Sequence, residues 1–448
     1  MGRLFGTDGI RGIAGQMLTC ELATKIGRAA AEVLSGLRRR PLFVIGKDTR
    51  ASSDMLESAI AAGLCSVGAD VIFLGVVPTP AVAYLIGKCK ADAGVMISAS
   101  HNAAEFNGIK IFGGDGVKLP DMLEEQIEAI VLDGASRLPA SVGTDVGQTR
   151  YATEAIEYYV NHLKSTVPFS LSGLRVAVDC ANGSASVTAK RLFTELGAQA
   201  EFLACEPDGA NINHACGSTH LAALKAYVVE HGMDAGVAFD GDADRCLCVD
   251  EHGEEIDGDF IMAICAEDMR SRGKLEHNAV VGTIMTNMGF TKFCEEKGLH
   301  FIATKVGDRY VLEEMLRSGY SFGGEQSGHL IFRDFATTGD GQLTAIQLLS
   351  IMARREIKLS ELASVMQRYP QELINVQVSP EGKIAFYTDP CVHEATERAR
   401  QELGENGRII IRVSGTEPLI RVMVEGRDIE QVRRVCREAA EVVRRNLN

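Results

Sequence analysis

The chain has 448 residues, of which 46% are hydrophobic and 24% are charged, as is usual for a globular protein with a large core. It carries 46 Lys and Arg against 60 Asp and Glu, a formal net charge of −14. This acidity argues against a general nucleic-acid or membrane-surface binder, so we expect neither partner, although local cations can still hold an anionic small molecule.

The cysteines and apolar segments predict where the protein works. Cys246 and Cys248 alternate within one apolar run, and no Cys-x-x-Cys pattern occurs among the twelve cysteines. The segment Met1–Asp8 has no apolar core of a signal peptide, and two prolines interrupt the longest apolar stretch, Val71–Gly87. We therefore expect free thiols in a cytoplasmic protein.

The first third of the chain predicts an α/β unit in which strands and helices alternate. The expected strands are Pro41–Ile45, Val71–Val77 and Gly94–Ser98, and the expected helices are Glu21–Leu37 and Ser53–Val67. This order implies right-handed crossovers and a largely parallel sheet. The segment Asp133–Thr149 is rich in small residues and predicts a connector.

Two further α/β units and a different C-terminal module are expected after the connector. A helix at Thr153–Leu163 precedes strands at Arg175–Asp179, Glu201–Ala204, Ala235–Phe239, Val280–Met285, Phe301–Thr304 and His329–Phe332. In the tail, strands at Ile409–Arg412 and Leu419–Val424 precede a helix that begins after Asp428, a typical N-cap, and ends near Leu447. We predict three similar α/β domains, with mixed or parallel sheets, followed by an α+β domain.

A serine-containing turn follows the strand that ends at Ser98. Ser100 would lie at the carboxyl end of a strand, where open α/β sheets bind ligands. His101 and Lys110 provide hydrogen-bond donors and candidate proton carriers. A polar turn that only closes the strand is the alternative interpretation.

Three carboxylates alternate in the next motif, at Asp240, Asp242 and Asp244. Oxygen ligands at this spacing can converge on a hard divalent cation, and we predict Mg²⁺. An EF-hand loop is disfavoured because Arg245 stands where that loop requires glycine and because the flanks predict strands. A solvated acidic turn is the alternative, although three such charges repel one another unless a cation joins them.

Short polar side chains lie between glycines in the third motif, Gly324–His329. Glu325, Ser327 and His329 are suited to hydrogen bonds with sugar hydroxyls. The motif is not a nucleophile elbow, because Glu325 stands two residues before the serine. An ordinary hairpin is the alternative.

The fourth motif combines cations, hydroxyls and a glycine between two predicted strands. Its candidate phosphate ligands are Arg412, Ser414, Gly415, Thr416 and Arg421. A tight hairpin with surface arginines is the alternative, and no P-loop pattern occurs in the sequence.

A fifth, glycine-dense segment, Gly6–Gly12, offers the cation Arg11 near the N-terminus. A plain surface turn is an equally good interpretation of this segment alone.

Together and in this order, the five segments resemble the α-D-phosphohexomutase superfamily over essentially the whole chain. The resemblance implies four domains around a central cleft, each contributing one loop. The implied domains are 1–150 with the phosphoserine loop, 151–253 with the metal loop, 254–368 with the sugar loop and 369–448 with the phosphate loop.

Within the superfamily, Gly6–Gly12 is similar to the opening loop of the phosphoglucosamine mutase branch. Ala243 and Gly307–Val311 are compatible with that branch, and Gly415 stands where the mannose and glucose branch tends to have Asn. Family members commonly have Pro where this chain has Ala103. Since Ala lacks the fixed φ of Pro, we expect a more mobile serine loop.

The resemblance also implies a reaction and a role for each motif. Ser100 would be phosphorylated and would join the three aspartates around Mg²⁺. The phosphate loop would hold the substrate phosphate, Glu325, Ser327 and His329 would bind the sugar, and Lys110 or His101 would transfer a proton. The cations Arg11 and Arg245 would offset phosphate charge.

The implied isomerase interconverts glucosamine 6-phosphate and glucosamine 1-phosphate through glucosamine 1,6-bisphosphate, which would feed amino-sugar nucleotide and cell-wall precursor synthesis. A phosphoglucomutase or phosphomannomutase is the first alternative, followed by a non-catalytic phosphosugar-binding protein and a phosphatase. The resemblance also implies a homodimer, the state in which family members often occur.

Overall fold

The structure, a computed structural model, describes residues 3–6, 8–35, 40–134, 138–414 and 418–447. The chain divides into two compact units. The first contains residues 1–285 and 298–365, and the second contains residues 286–297 and 366–448. None of the helices within the described ranges is long and apolar enough to cross a membrane.

The first sheet has six strands in the order β1-β5-β4-β2-β3-β6. The strands are β1 (Ile10–Ile13), β2 (Leu42–Lys47), β3 (Asp70–Val76), β4 (Ala93–Ile97), β5 (Phe106–Gly113) and β6 (Thr149–Tyr151). Its helices are α1 (Cys20–Leu34), α2 (Ser53–Cys65), α3 (Thr79–Cys89) and α4 (Asp121–Asp133). Strands β4, β2, β3 and β6 are parallel to one another, whereas β5 is antiparallel to both β4 and β1.

Helices α1 and α2 approach closely because each carries a glycine at their contact. A Cβ atom on Gly27 would lie 2.5 Å from the Ile60 carbonyl oxygen, and one on Gly63 would lie 2.2 Å from that of Thr24. The Thr19 hydroxyl caps α1 by accepting the Leu22 amide at 3.2 Å. This helix pair therefore covers one face of the sheet and buries Ile26 and Ile60.

The second sheet has the order β11-β10-β9-β7-β8. Its strands are β7 (Arg175–Asp179), β8 (Gln199–Leu203), β9 (Ala235–Phe239), β10 (Cys246–Asp250) and β11 (Glu255–Ile256). The helices of this region are α5 (Ile156–Ser165), α6 (Ala189–Glu195), α7 (Ala222–His231) and α8 (Gly258–Ser271). Strands β8, β7 and β9 are parallel, and β10 returns antiparallel to β9.

The third sheet has the order β13-β12-β14-β15. Its strands are β12 (Ala279–Thr283), β13 (His300–Thr304), β14 (Phe322–Gly324) and β15 (Leu330–Phe332). The helices that follow in the chain are α9 (Met288–Lys297), which belongs to the second unit, and α10 (Asp308–Ser318), α11 (Gly341–Arg355) and α12 (Leu359–Ala363). Again the last strand, β15, is antiparallel to its neighbour β14.

The second unit contains an antiparallel sheet in the order β16-β18-β17. Its elements are β16 (Gln371–Gln377), α13 (Pro380–Ala385), α14 (Pro390–Leu403), β17 (Gly407–Val413), β18 (Leu419–Gly426) and α15 (Ile429–Leu447). The predicted N-cap is confirmed, since the Asp428 carboxylate accepts the Glu430 amide at 2.9 Å. Helix α15 buries Val432, Val435 and Ala439 at helical spacing against this sheet.

Short 3₁₀ helices complete the described chain, at Gly143–Asp145, Thr153–Ala155, Ser184–Val187, Glu276–Asn278 and Gly404–Asn406. One of them replaces the first turn of the helix predicted at Thr153. The predicted connector likewise contains a 3₁₀ turn and the start of β6, and Leu37, the predicted end of the first helix, lies outside the described residues.

The predicted fold class, α/β sheets of the mixed or parallel type followed by an α+β module, is confirmed, and the α/β sheets are of the mixed type. Each α/β sheet carries an antiparallel strand beside its parallel strands. In each of the three α/β sheets the candidate functional loop joins two antiparallel strands. These loops are residues 98–105, 240–245 and 325–329.

Candidate active site

The serine loop and the triple-aspartate loop meet in the first unit. The Ser100 hydroxyl donates to Asp240 Oδ2 at 2.5 Å, although 140 positions separate the two residues in the chain. Ser100 is fully buried, and its Oγ lies 3.4 Å from His101 Nδ1. The predicted nucleophile and the predicted metal loop therefore share one centre.

The three aspartates form a buried carboxylate cluster at the carboxyl end of β9. One oxygen from each of Asp240, Asp242 and Asp244 lies within 4.8 Å of the others. Burial raises the pKa of Asp240 well above its usual range, and the charges of Asp244 and Asp242 add to this effect. A cation would relieve the repulsion within the cluster.

Two oxygens of the cluster are left for such a cation. Asp242 Oδ1 and Asp244 Oδ1 are buried and accept no hydrogen bond from any described residue. Buried acceptors without a partner are costly, and carboxylate oxygens are the ligands that Mg²⁺ prefers. The residues therefore fit a divalent cation with an open face.

Lys110 supplies positive charge to the same cluster from β5. Its ammonium lies 2.7 Å from Asp242 Oδ2, 3.4 Å from Asp244 Oδ2 and 3.0 Å from Asp8 Oδ2. Burial alone would lower the pKa of Lys110, but these carboxylates hold it well above its usual range. Lys110 is thus a cation in this arrangement.

His101 has the opposite character. Burial, together with the nearby Arg245 and Arg11, lowers the pKa of His101 to about 4. The imidazole is therefore neutral at pH 7, and its Nδ1 lies close to the serine hydroxyl.

Two arginines border the centre with unused donors. Arg11 Nη1 donates to Asn102 Oδ1 at 3.2 Å, and Arg245 Nε lies 3.8 Å from Asp244 Oδ1, too far for a hydrogen bond. The Nε groups of both arginines are buried and have no hydrogen-bond partner among the described residues. Unsatisfied guanidinium donors beside a nucleophile fit a phosphoryl group.

A buried charge network, which the sequence analysis did not find, extends this centre towards the third sheet. Lys118 Nζ lies 2.5 Å from Asp8 Oδ1 and also forms an ion pair with Asp308. The sequence gives little indication of this network. Lys118 and Asp308 lie outside the five motifs, and Asp8 lies among glycines that predict a turn.

The predicted sugar loop packs against the start of β10. The Gly328 carbonyl accepts the Cys246 amide at 3.0 Å, and a Cβ on Gly328, where φ is +90°, would lie 2.3 Å from the Cys246 carbonyl oxygen. Glu325 Oε1 accepts the Gly307 amide at 3.1 Å, and burial raises the pKa of Glu325. Ser327 is half-buried in the same turn. Their role towards a sugar stays a prediction.

His329 lies deeper than its neighbours in the loop. Its Nδ1 lies 3.6 Å from Asp244 Oδ2, and its Nε2 accepts the Gly339 amide at 3.0 Å. With both ring nitrogens directed to protein groups, the side chain supports the metal loop, and its predicted contact with sugar stays untested.

The second unit carries the predicted phosphate loop. Arg412 and Arg421 stand directly opposite each other on β17 and β18, an arrangement in which like charges repel. Burial lowers the pKa of Arg412, and Arg421 lowers it further. Lys383, absent from the sequence prediction, donates to the Ser414 carbonyl at 2.7 Å. Gly415 and Thr416 lie outside the described residues.

Comparisons with known proteins show which families this chain matches. Four families match the chain, described as phosphoglucomutase/phosphomannomutase alpha/beta/alpha domains I, II and III and C-terminal domain, at residues 2–137, 157–253, 257–369 and 373–442. A relative from Caldanaerobacter subterraneus subsp. tengcongensis, named phosphoglucosamine mutase, is 54% identical over 448 residues and covers all of both chains.

Solved structures share the fold. A phosphoglucomutase/phosphomannomutase family protein from Burkholderia thailandensis superposes with a TM-score of 0.84 at 24% identity, covering 100% of this chain and 99% of that one. The Aspergillus fumigatus N-acetylphosphoglucosamine mutase, in complex with GlcNAc-6P and magnesium, has a TM-score of 0.70 at 17% identity, covering 100% of this chain and 96% of that one.

Proposed function

We infer the function from the family, because this chain belongs to the phosphoglucosamine mutase family of the α-D-phosphohexomutases. The reaction that we assign is the interconversion of glucosamine 6-phosphate and glucosamine 1-phosphate, an intramolecular phosphoryl transfer. The observation that carries the assignment is the buried Ser100 hydroxyl at 2.5 Å from Asp240, within a cluster of three aspartates.

In the proposed cycle Ser100 carries the phosphoryl group. The anomeric hydroxyl of glucosamine 6-phosphate loses its proton as its oxygen attacks phosphorus, the bond from phosphorus to Ser100 Oγ breaks, and Oγ takes up a proton. The product, glucosamine 1,6-bisphosphate, turns over in the site. Ser100 Oγ then gives up its proton and attacks the phosphorus at position 6, the bond from that phosphorus to the sugar O6 breaks, and O6 takes up a proton. This step restores phosphoserine and leaves glucosamine 1-phosphate.

Phosphate charge explains why the site is rich in cations. Two phosphate dianions about 5 Å apart repel by roughly 13 kcal/mol at an effective dielectric of 20. Arg11 and Arg245, with their unsatisfied Nε groups, and the ammonium of Lys110 are placed to offset this repulsion. A Mg²⁺ ion held by Asp240, Asp242 and Asp244 would supply further positive charge to the phosphoryl oxygens.

We assign proton transfer to His101 or Lys110. His101 is neutral and has Nδ1 3.4 Å from Oγ, and a bound phosphoryl dianion would raise its low pKa because an anion favours the imidazolium. Lys110 is charged and suits the role of proton donor to the departing serine oxygen. We retain both residues as candidates, and pH profiles of His101→Gln and Lys110→Arg distinguish them.

The remaining assignments follow the family. We propose that Glu325, Ser327 and His329 form the sugar-binding region and that Arg412, Ser414, Gly415, Thr416 and Arg421 hold the non-reacting phosphate. We propose domains at 1–150, 151–253, 254–368 and 369–448, a cytoplasmic homodimer and a role in supplying amino-sugar nucleotides for cell-wall precursors. The repulsion between Arg412 and Arg421 supports the phosphate assignment, since an anion would relieve it.

A coupled assay of glucosamine 6-phosphate conversion tests the proposal. After charging with a hexose 1,6-bisphosphate, we expect the wild type to turn over and to gain one phosphoryl group by intact mass, whereas Ser100→Ala does neither. Ser58→Ala, an exposed serine on α2, is the control. Equal rates for the wild type and Ser100→Ala would exclude Ser100 as the nucleophile. Release of inorganic phosphate in step with substrate loss would indicate a phosphatase.

The second candidate, a phosphoglucomutase or phosphomannomutase, uses the same machinery on a different pattern of hydroxyls. Turnover compared on glucosamine, glucose and mannose 6-phosphates separates these activities, and we expect the highest kcat/KM on the glucosamine compound.

A further inference from the structure

The backbone of the serine loop is held by one arginine that lies outside all five motifs. Arg50 Nη2 donates to the carbonyl oxygens of Ser100 at 3.0 Å and Asn102 at 2.8 Å. Its Nη1 donates to the Phe106 carbonyl at 2.9 Å and also to that of Ala103. A single guanidinium thus binds three carbonyl groups of the loop that presents the nucleophile and the carbonyl of Phe106, the first residue of β5.

A buried carboxylate holds this arginine in place. Asp48 Oδ2 accepts Arg50 Nε at 2.8 Å, and both side chains have no exposed surface. The same carboxylate accepts the hydroxyls of Ser98 at 2.7 Å and Ser53 at 2.8 Å. Ser98 Oγ in turn accepts the Ser100 amide at 2.9 Å. The carboxylate is therefore linked to Ser100 by two paths, through Arg50 to its carbonyl group and through Ser98 to its amide group.

Asn213, in the segment between β8 and α7, is the third residue whose side chain contacts the serine loop. Asn213 Nδ2 donates to the carbonyl oxygens of Ser100 at 2.8 Å and Asn102 at 3.0 Å. The Ser100 carbonyl consequently accepts two hydrogen bonds. Asn213 itself has a φ of +58°, a conformation that Asn tolerates better than most residues.

The conformation of Ser100 explains why so many bonds converge there. Its φ is +52°, in the left-handed region that costs a residue with a side chain about 1–2 kcal/mol. Such conformations persist only where the surroundings over-determine them. In addition, a Cβ on Gly241 would lie 2.6 Å from the Ser100 carbonyl oxygen, so the metal loop passes directly against this peptide.

We propose that Asp48, Arg50 and Asn213 form a serine-loop clamp, a set of positioning residues that keeps Ser100 in its left-handed conformation and aims Oγ at the phosphoryl group. None of the three touches the reacting atoms. The clamp also bonds the carbonyl of Ala103, where family members commonly have proline, so hydrogen bonds restrain the loop where the ring is absent. The inference rests on the proposed function only for its effect on catalysis.

The test compares Arg50→Lys, which keeps the charge but loses the planar fork of donors, with Arg175→Lys. Arg175 is a matched control, because it also donates to backbone carbonyls, those of His231 at 2.8 Å and Gly232 at 3.0 Å, far along the chain from the serine loop. Two quantities are measured for each protein: hydrogen exchange of the amides in residues 98–106 without substrate, and kcat and KM for glucosamine 6-phosphate.

For Arg50→Lys we expect the loop amides to exchange at least about tenfold faster. We expect kcat to fall about 30- to 100-fold with KM changed less than about threefold, since misplacement by about 1 Å can cost a hundredfold in rate. Arg175→Lys should match the wild type in both. If Arg50→Lys shows the same amide exchange in residues 98–106 and the same kcat as the wild type, the proposed clamp is wrong.

Asn213→Gly keeps the test decisive if Arg50→Lys does not fold. Glycine accepts the positive φ while removing the two amide donors, so the same changes in exchange and kcat are expected, and their absence would equally overturn the proposal. If the wild type shows no mutase activity, the proposed function fails, yet the exchange measurement still decides whether these residues hold the loop.

Discussion

Removal of the Lys110 ammonium is the most direct test of the electrostatics of this site. Its side chain is buried and lies 2.7, 3.0 and 3.4 Å from carboxylate oxygens of Asp242, Asp8 and Asp244. At an effective dielectric of 20, each of these attractions is worth about 5–6 kcal/mol before desolvation. Because desolvation offsets most of that sum, we expect Lys110→Met to lower the free energy of unfolding by about 3–5 kcal/mol.

The loss should depend on magnesium. With the ammonium gone, Mg²⁺ bound by the same carboxylates would replace the missing positive charge. We therefore expect saturating MgCl₂ to restore a large part of the stability that Lys110→Met loses in EDTA. Urea unfolding of both proteins in each condition, at ionic strength matched with NaCl, measures this difference.

Lys164→Met is the control, because Lys164 forms an ion pair with Glu195 at the surface, where such pairs are worth about 0–1 kcal/mol. A loss of less than about 1 kcal/mol for Lys110→Met, or an equal loss in magnesium and in EDTA, would contradict this electrostatic role of Lys110.

Three further predictions concern the metal, the pH dependence of stability and the thiols. In thermal unfolding, Mg²⁺ at a hundred times its Kd should stabilise the wild type by about 2.7 kcal/mol. It should not stabilise Asp242→Asn, because this variant loses a buried carboxylate oxygen. The control Asp54→Asn, which changes an exposed carboxylate, should behave as the wild type. Burial raises the pKa of Asp340 to about 7, so between pH 4 and pH 7 the folded protein holds a proton that the unfolded chain has released. The free energy of unfolding should therefore fall by up to about 4 kcal/mol as pH rises from 4 to 7. Asp340→Asn should lose this fall, and a parallel pH profile for the two proteins would contradict the assignment. Burial raises the pKa of Cys216 and Cys294 to about 12, so the exposed Cys391 should react first with a thiol reagent, and Cys391→Ser should lose the fast phase.

Strands with continuous apolar character were predictable from the sequence. Arg175–Asp179 and Ala235–Phe239 were predicted with the bounds that the structure has. Both lie in the parallel part of their sheet, where burial on two faces gives an unbroken apolar run between turns. The convergence of Asp240, Asp242 and Asp244 was also predictable, because their alternation follows directly from the end of such a strand.

Elements with buried polar groups were not predictable in this way. Strand β5 carries Lys110 at its buried centre, so its pattern does not indicate a buried strand. Helix α11 is buried on all sides, with Gln342 donating to Thr188 at 2.6 Å, and therefore lacks an apolar stripe. In both cases tertiary partners satisfy the polar group, and local sequence does not contain those partners.

Asp8 and Arg50 escaped prediction for the related reason that their roles depend on distant residues. Asp8 acts through Lys110 and Lys118, and Arg50 acts on the backbone of residues 100–106. The polar segment after β2 was a weak signal of its own, since it begins at the carboxyl end of a parallel strand.

The contacts of the active centre have a further consequence, because they join the three sheets of the first unit. Ser100 and Lys110 from the first sheet bond aspartates of the second, while His329 of the third approaches Asp244 and Lys118 pairs with Asp308. The residues to which we assign chemical roles thus also hold the three sheets of the first unit together. A substitution that disables the reaction should loosen the assembly as well, so neither property can change during evolution without a response in the other.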